Sequence, residues 1–319
     1  MPDFSKHPLN KRYDLDTALS TIWEFYKKWF LSLFTISFVF SLILTYISGR
    51  VDVAELYSTN DPAAVMSAFK SMLGPYALIL LFTFVFTLVL QYYIIRKPVD
   101  PDSNILSVAS EGLVRFFIPM LLLSLALGIF AVIAVVLGIF LLFVGALFAI
   151  IYVFMLTAFL YPVLMIEENN LGDTITNTLK IAHRNFWQNI GWVTVMGILV
   201  VVISFILGAI IMIPFGGSFM KTITNPENAG EIMNLANKPS YIVLNALANA
   251  VTMPLFPIFS LVLYFNARSS SYKISGKDND DNNGGKVKIE DLYAPGKKKK
   301  SDIKKNTDSS APSVEDLTP

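Results

Sequence analysis

FFIPMLLLSLALGIFAVIAVVLGIFLLFVGALFAIIYVFMLTAFLYPVLMI, residues Phe116–Ile166, holds 51 consecutive positions without an Asp, Glu, Lys, Arg or His. At about 1.5 Å of helical rise per residue, a hydrocarbon core of about 30 Å takes roughly 20 residues per crossing. The run is therefore long enough for two crossings, and its best division lies near Gly138. Backbone groups in lipid cannot stay unpaired, and the run lacks the ten-residue alternation of a membrane barrel. Helices are the expected solution.

Working outward from that hairpin, four more apolar runs of membrane length appear. The six expected spans cover residues 30–48, 75–95, 116–137, 139–162, 191–215 and 241–265. Composition agrees: 54% of the chain is apolar and 15% charged, a balance far from that of a soluble domain. The fold class expected is all-α, a polytopic helical bundle. Pro119, Pro162, Pro214, Pro254 and Pro257 lie in or at the ends of spans, and the pair in MPLFPIF predicts an irregular sixth helix. The first span ends in TYISGR without a small-residue cleavage pattern, so it is expected to be retained.

Orientation follows from basic residues in short loops, which resist translocation. Lys6, Lys11, Arg12, Lys27 and Lys28 precede the first span. Arg96, Lys97 and Arg115 lie between the second and third, and Lys180 and Arg184 between the fourth and fifth. The alternate loops carry Arg50 and Lys70, then none, then Lys221 and Lys238, mostly balanced by acids. Both termini are expected to be cytoplasmic.

The segments on that side share a design. Asp16, Ser103 and Asp173 each stand thirteen residues before an aromatic residue, Trp29, Phe116 and Phe186, that opens a span. Asp and Ser are good helix caps. Ala18, Ile22, Phe25, Tyr26 and Trp29 share one face of the first segment, and Ile175, Leu179, Ala182 and Phe186 one face of the third. Such amphipathic helices suit the headgroup level, with Lys27, Lys28, Arg115 and Arg184 as candidate lipid-headgroup residues. Interfacial helix plus hairpin, three times over, suggests a threefold repeat.

Little in the spans points to chemistry. No ionisable residue is expected inside them, which argues against a carboxylate-driven pump. Asn245 and Asn249, four apart in the sixth span, are the candidate substrate-binding pair; interhelical hydrogen bonding is the plainer reading. Gln91 is expected at an interface and His183 on the surface. Glu167, Glu168, Asp173 and His183 match no metal-ligand spacing, and acids at a helix start suit its dipole. Without cysteine there is no thiol chemistry, and a net charge of +1 gives no nucleic-acid signal. No cofactor or metal is expected. From Ser269 to Pro319 the chain reads as a disordered, lysine-rich tail. Its Lys297–Lys300 block is a candidate anionic-lipid contact, and KIEDLYAP a candidate docking peptide.

The stretch YPVLMIEENNLGDTITNTLKIAHRNFWQNIGW, residues 161–192, resembles a pattern in a bacterial family of six-span proteins. That family includes the membrane domain accompanying some glycerophosphodiester phosphodiesterases. The positions that carry the likeness are Pro162, Glu167, Asp173, Leu179 and Trp187, and it would cover roughly residues 10–268. It implies a multi-pass protein of the bacterial inner membrane. No catalytic residue transfers, because activity in that family belongs to a soluble barrel that a chain of this length with two histidines is not expected to hold. The expected function is non-enzymatic organisation of lipid or envelope components, with membrane lipids, membrane proteins or further copies as partners. The alternative is a transporter or lipid translocator with a cavity near the sixth helix.

Overall fold

The computed structural model describes residues 4–51, 61–141, 144–168, 170–217 and 237–275, and among them every regular element is a helix. Six helical stretches are long and apolar enough to cross a membrane. In chain order the α-helices are α1 (Leu15–Lys28), α2 (Phe30–Ser48), α3 (Pro62–Arg96), α4 (Ile105–Phe140) and α5 (Val144–Glu167). They continue with α6 (Leu171–Arg184), α7 (Phe186–Met212), α8 (Pro239–Thr252) and α9 (Leu255–Ser275). The expected helical membrane fold is what the chain forms.

The spans differ from expectation at their edges. α2 matches residues 30–48, but α3 starts at Pro62 and carries Pro75 inside it. Its start is fixed by Asp61, whose side chain accepts from the Ala63 amide, with proline at the first helical position where no donor is missed. α4 is one unbroken helix from the amphipathic segment through the third span. It does not turn at Gly138. That glycine serves a close helix contact, because a β-carbon there would lie 2.6 Å from Ala146 N and from the Gly145 carbonyl carbon. The sixth span breaks at Met253–Pro254, as the two prolines require, and α9 runs on to Ser275, into the segment expected to be disordered. The rest of that tail, with Lys297–Lys300 and KIEDLYAP, lies outside the described residues, as does most of the connection between Lys221 and Ser240.

The caps are also not those expected. Asp14 caps α1 through a reciprocal box with Thr17, whose amide and hydroxyl hold the Asp14 carboxyl below its ordinary range. Asn104 caps α4 and Asn170 caps α6. Each cap has the extended backbone that points its side-chain oxygen at the first turn. Asp16 and Asp173 fall inside the first turns, where their charge still complements the dipole. The Ser103 hydroxyl turns instead to the Asp100 carbonyl.

Packing gives the threefold idea its physical content. α2 with α3, α4 with α5, and α7 with α8–α9 form three hairpins, and the second helices of the three, α3, α5 and α9, all touch one another. Their C-terminal halves are buried on every side: Leu88 to Ile95, Ala158 to Ile166 (Tyr161 is half-buried), and Ile258 to Phe265. The first helices stand outside, α2 against α3 and α8, α4 against α3 and α5, α7 against α5 and α8. α5 and α9 run parallel and in step, since Ser260 Oγ donates to the Ala158 carbonyl at 2.6 Å and Arg268 pairs with Glu167 further along.

Each amphipathic segment then folds back along the central helix of the preceding hairpin. α1 follows α9, with the Tyr13 amide on Asn266 at one end, and at the other reaches the last turn of α8, where the Tyr26 hydroxyl donates to the Val251 carbonyl. The first turns of α4 follow α3, where Gly112 lets Tyr92 approach so closely that a β-carbon would meet its ring at 2.8 Å. α6 follows α5, from Asn177 beside Glu167 to His183 beside Tyr152. On α1 the expected face is the buried one. On α6 it is rotated: Thr174, Thr178, Ile181 and Ala182 face inward, leaving Ile175 and Leu179 at the edge.

Candidate functional site

Asn245 and Asn249 lie on α8, and the structure spends the first on a neighbour. Its amide nitrogen reaches Thr45 Oγ1 of α2 at 3.4 Å. The buried side of α8 there consists of Ala246 and Ala250, and that of α2 of Ser37, Ser41, Leu44 and Thr45. Small residues let two backbones approach and gain dispersion and polar contacts in place of a hydrophobic drive. Asn249 is half-buried, and its carbonyl accepts the amide of Met253 at the helix break.

The basic residues divide into two kinds. Arg115 pairs with Glu168 across the base of the second hairpin, and Glu168 takes the left-handed backbone, φ 52°, that ends α5. Lys27 lies over the Trp23 ring at 5.9 Å and Lys28 over Trp29 at 5.8 Å, both exposed. Arg184 is exposed in the last turn of α6, beside Lys180 and His183 and near the exposed Trp187. Trp23 and Trp187 suit the wet rim of a membrane, where an apolar ring and a polar edge are both satisfied.

Three buried polar features escaped the sequence reading. Glu167 is not a helix-start acid: it closes α5, is wholly buried, pairs with Arg268, and accepts from Tyr264 OH and Asn177 Nδ2, each at 3.0 Å. The available signal was a repeated Leu-Val-Leu run followed by tyrosine and arginine four apart. It reads Leu88-Val89-Leu90 with Tyr92 and Arg96, and Leu261-Val262-Leu263 with Tyr264 and Arg268. His7, expected in a polar segment, is 3% exposed. It is stacked between Phe25 and Phe265, accepts the Leu9 amide at Nδ1 and donates from Nε2 to the Ile94 carbonyl. Burial pulls its pKa down to about 4, so the ring is neutral. Gln91, expected at an interface, is buried in the core because α3 is enclosed on all sides there.

His183 is exposed, as expected, but engaged. Its Nδ1 donates to the Leu179 carbonyl at 2.8 Å, its Nε2 meets Tyr152 OH at 3.1 Å, and its ring stacks on Phe186. Two apolar hollows meet at Tyr152. One, of about 270 Å³, is walled by α4, α5 and α6, with Leu123, Phe130, Leu156, Ile175 and Leu179 in its lining. The other, of about 450 Å³, lies between the turn of the second hairpin and the start of α7, bounded by Leu137, Gly145, Phe148, His183 and Phe186. Among the described residues no group of acids and histidines is set to hold a metal ion.

The fold defines a multi-pass α-helical membrane protein. No protein-family model, curated protein or solved structure matches the chain.

Proposed function

We propose that this is a non-enzymatic protein of the bacterial cytoplasmic membrane, with both termini in the cytoplasm, that organises lipid or envelope components. The likeness of residues 161–192 to the membrane domain of glycerophosphodiester phosphodiesterases supports that setting. The observation that carries the reading is the filled centre. Where a transporter would need a path, α3, α5 and α9 interlock through Leu88, Ile95, Phe159, Met165, Phe259 and Leu261, all at or below 2% exposure. A close-packed core opens only at the cost of those contacts. The partners expected are anionic membrane lipids, membrane proteins or further copies of the chain, and not nucleic acid.

The test is to purify the full chain from native membranes in mild detergent and identify what accompanies it. Anionic phospholipid enriched over the bulk membrane, with no turnover of lipid phosphodiesters, supports the reading. Specific hydrolysis of such a lipid contradicts it. The second reading, a translocator, draws on the break between α8 and α9. Under it, Asn245→Leu with Asn249→Leu abolishes flux into reconstituted vesicles; under the first reading there is no flux to lose.

A further inference from the structure

The two hollows, which share Tyr152 in their linings, lie in succession along the second hairpin as a trough, and His183 at the basic end of α6 lines the wider of them. From Leu123 to Leu141 the wall of α4 runs roughly 27 Å, close to the thickness of a hydrocarbon core. Its lining is apolar almost throughout, so water has few partners in it. An unfilled apolar gap forfeits dispersion with its walls. A flexible hydrocarbon chain fits that requirement.

The polar features of the trough are all gathered on one side. His183 and Arg184 are exposed on the last turn of α6 with Lys180 exposed one turn before Arg184, and Tyr152 OH, on α5, meets His183. The rotated face of α6 belongs to the same arrangement, since Ile175 and Leu179 leave the core to wall the groove.

We infer that this trough binds one anionic phospholipid of the surrounding membrane, its phosphate against Lys180 and Arg184 and an acyl chain along α4 and α5. The inference rests on the proposed role with lipid and gives it a site. The phosphate meets two cations, and the chain replaces the missing wall contacts.

The experiment uses the full chain in phosphatidylethanolamine nanodiscs doped with phosphatidylglycerol bearing a diazirine on its acyl chain. Phosphatidylcholine with the same chain is the control, and labelled residues are mapped by mass spectrometry. Labelling of the trough walls by the anionic probe is expected to exceed the control on the order of tenfold, two surface cations contributing. Lys180→Gln with Arg184→Gln should erase that difference. Ala126→Trp, at an exposed position on the lining, should suppress labelling by both probes while helicity and monodispersity are kept. Equal labelling by both probes, or labels spread equally over the outward face of α7 at Val201 and Phe205, overturns the site. If anionic lipid still copurifies in that event, the site falls while the broader role in lipid organisation stands.

Discussion

Glu167 is a carboxylate shielded from solvent, held by a guanidinium and a phenol of α9 and by an amide of α6. Burying one ion is expensive and burying a matched pair is far less so, but removing one partner leaves the other charge stranded. Arg268→Ala is therefore expected to cost about 3 kcal/mol in detergent unfolding, whereas Glu167→Gln with Arg268→Gln should cost clearly less. His7 adds a pH dependence whose sign follows from its depressed pKa. Between pH 6.5 and about 4 the unfolded chain takes up a proton that the folded ring refuses, so stability falls as pH falls through that window. The loss should be on the order of 3 kcal/mol and should vanish in His7→Gln, which keeps a donor and an acceptor without titrating there. Equal pH slopes for the two proteins would count against a buried neutral His7.

At the scale of elements, the apolar runs were legible because hydrocarbon leaves helix as the only way to pair the backbone. The boundaries were less legible. Length alone put the division of the long run near Gly138, but the helix runs on to Phe140, and the glycine lets α4 and α5 touch near their joint, information that lies in the facing residues Gly145 and Ala146. Gly138→Val is expected to force the helices apart and cost roughly 1–3 kcal/mol, read by thermal unfolding. Full stability in that variant would mean that the hairpin closes elsewhere. The face of α6 was misjudged for a related reason. Periodicity identifies an apolar stripe, but the stripe is divided here between a core and a groove, and threonines take the inner side. The basic residues were read by charge alone, which cannot tell Arg115, paired with Glu168, from Lys27 and Lys28, which rest on tryptophans. The Asn245 and Asn249 spacing was visible; that the first of them meets Thr45, two hundred residues away, was not.

Across the whole molecule, three hairpins contribute one central helix each, and each amphipathic segment clasps the central helix of the hairpin before it, with α1 closing the cycle on α9. That closure brings the first helix onto the last and sets both described ends of the chain, Phe4 and the C-terminal part of α9, at the same end of the bundle. Because the chain contains no cysteine, single cysteines can be introduced without background. The most direct measurement is labelling of intact cells by a membrane-impermeant maleimide at Ser5→Cys, Asp61→Cys, Lys238→Cys and Ser269→Cys, before and after permeabilisation. Asp61→Cys and Lys238→Cys should react from outside, and Ser5→Cys and Ser269→Cys only once the membrane is opened. Reaction of Ser5→Cys and Ser269→Cys from opposite sides would contradict six crossings arranged around a threefold centre.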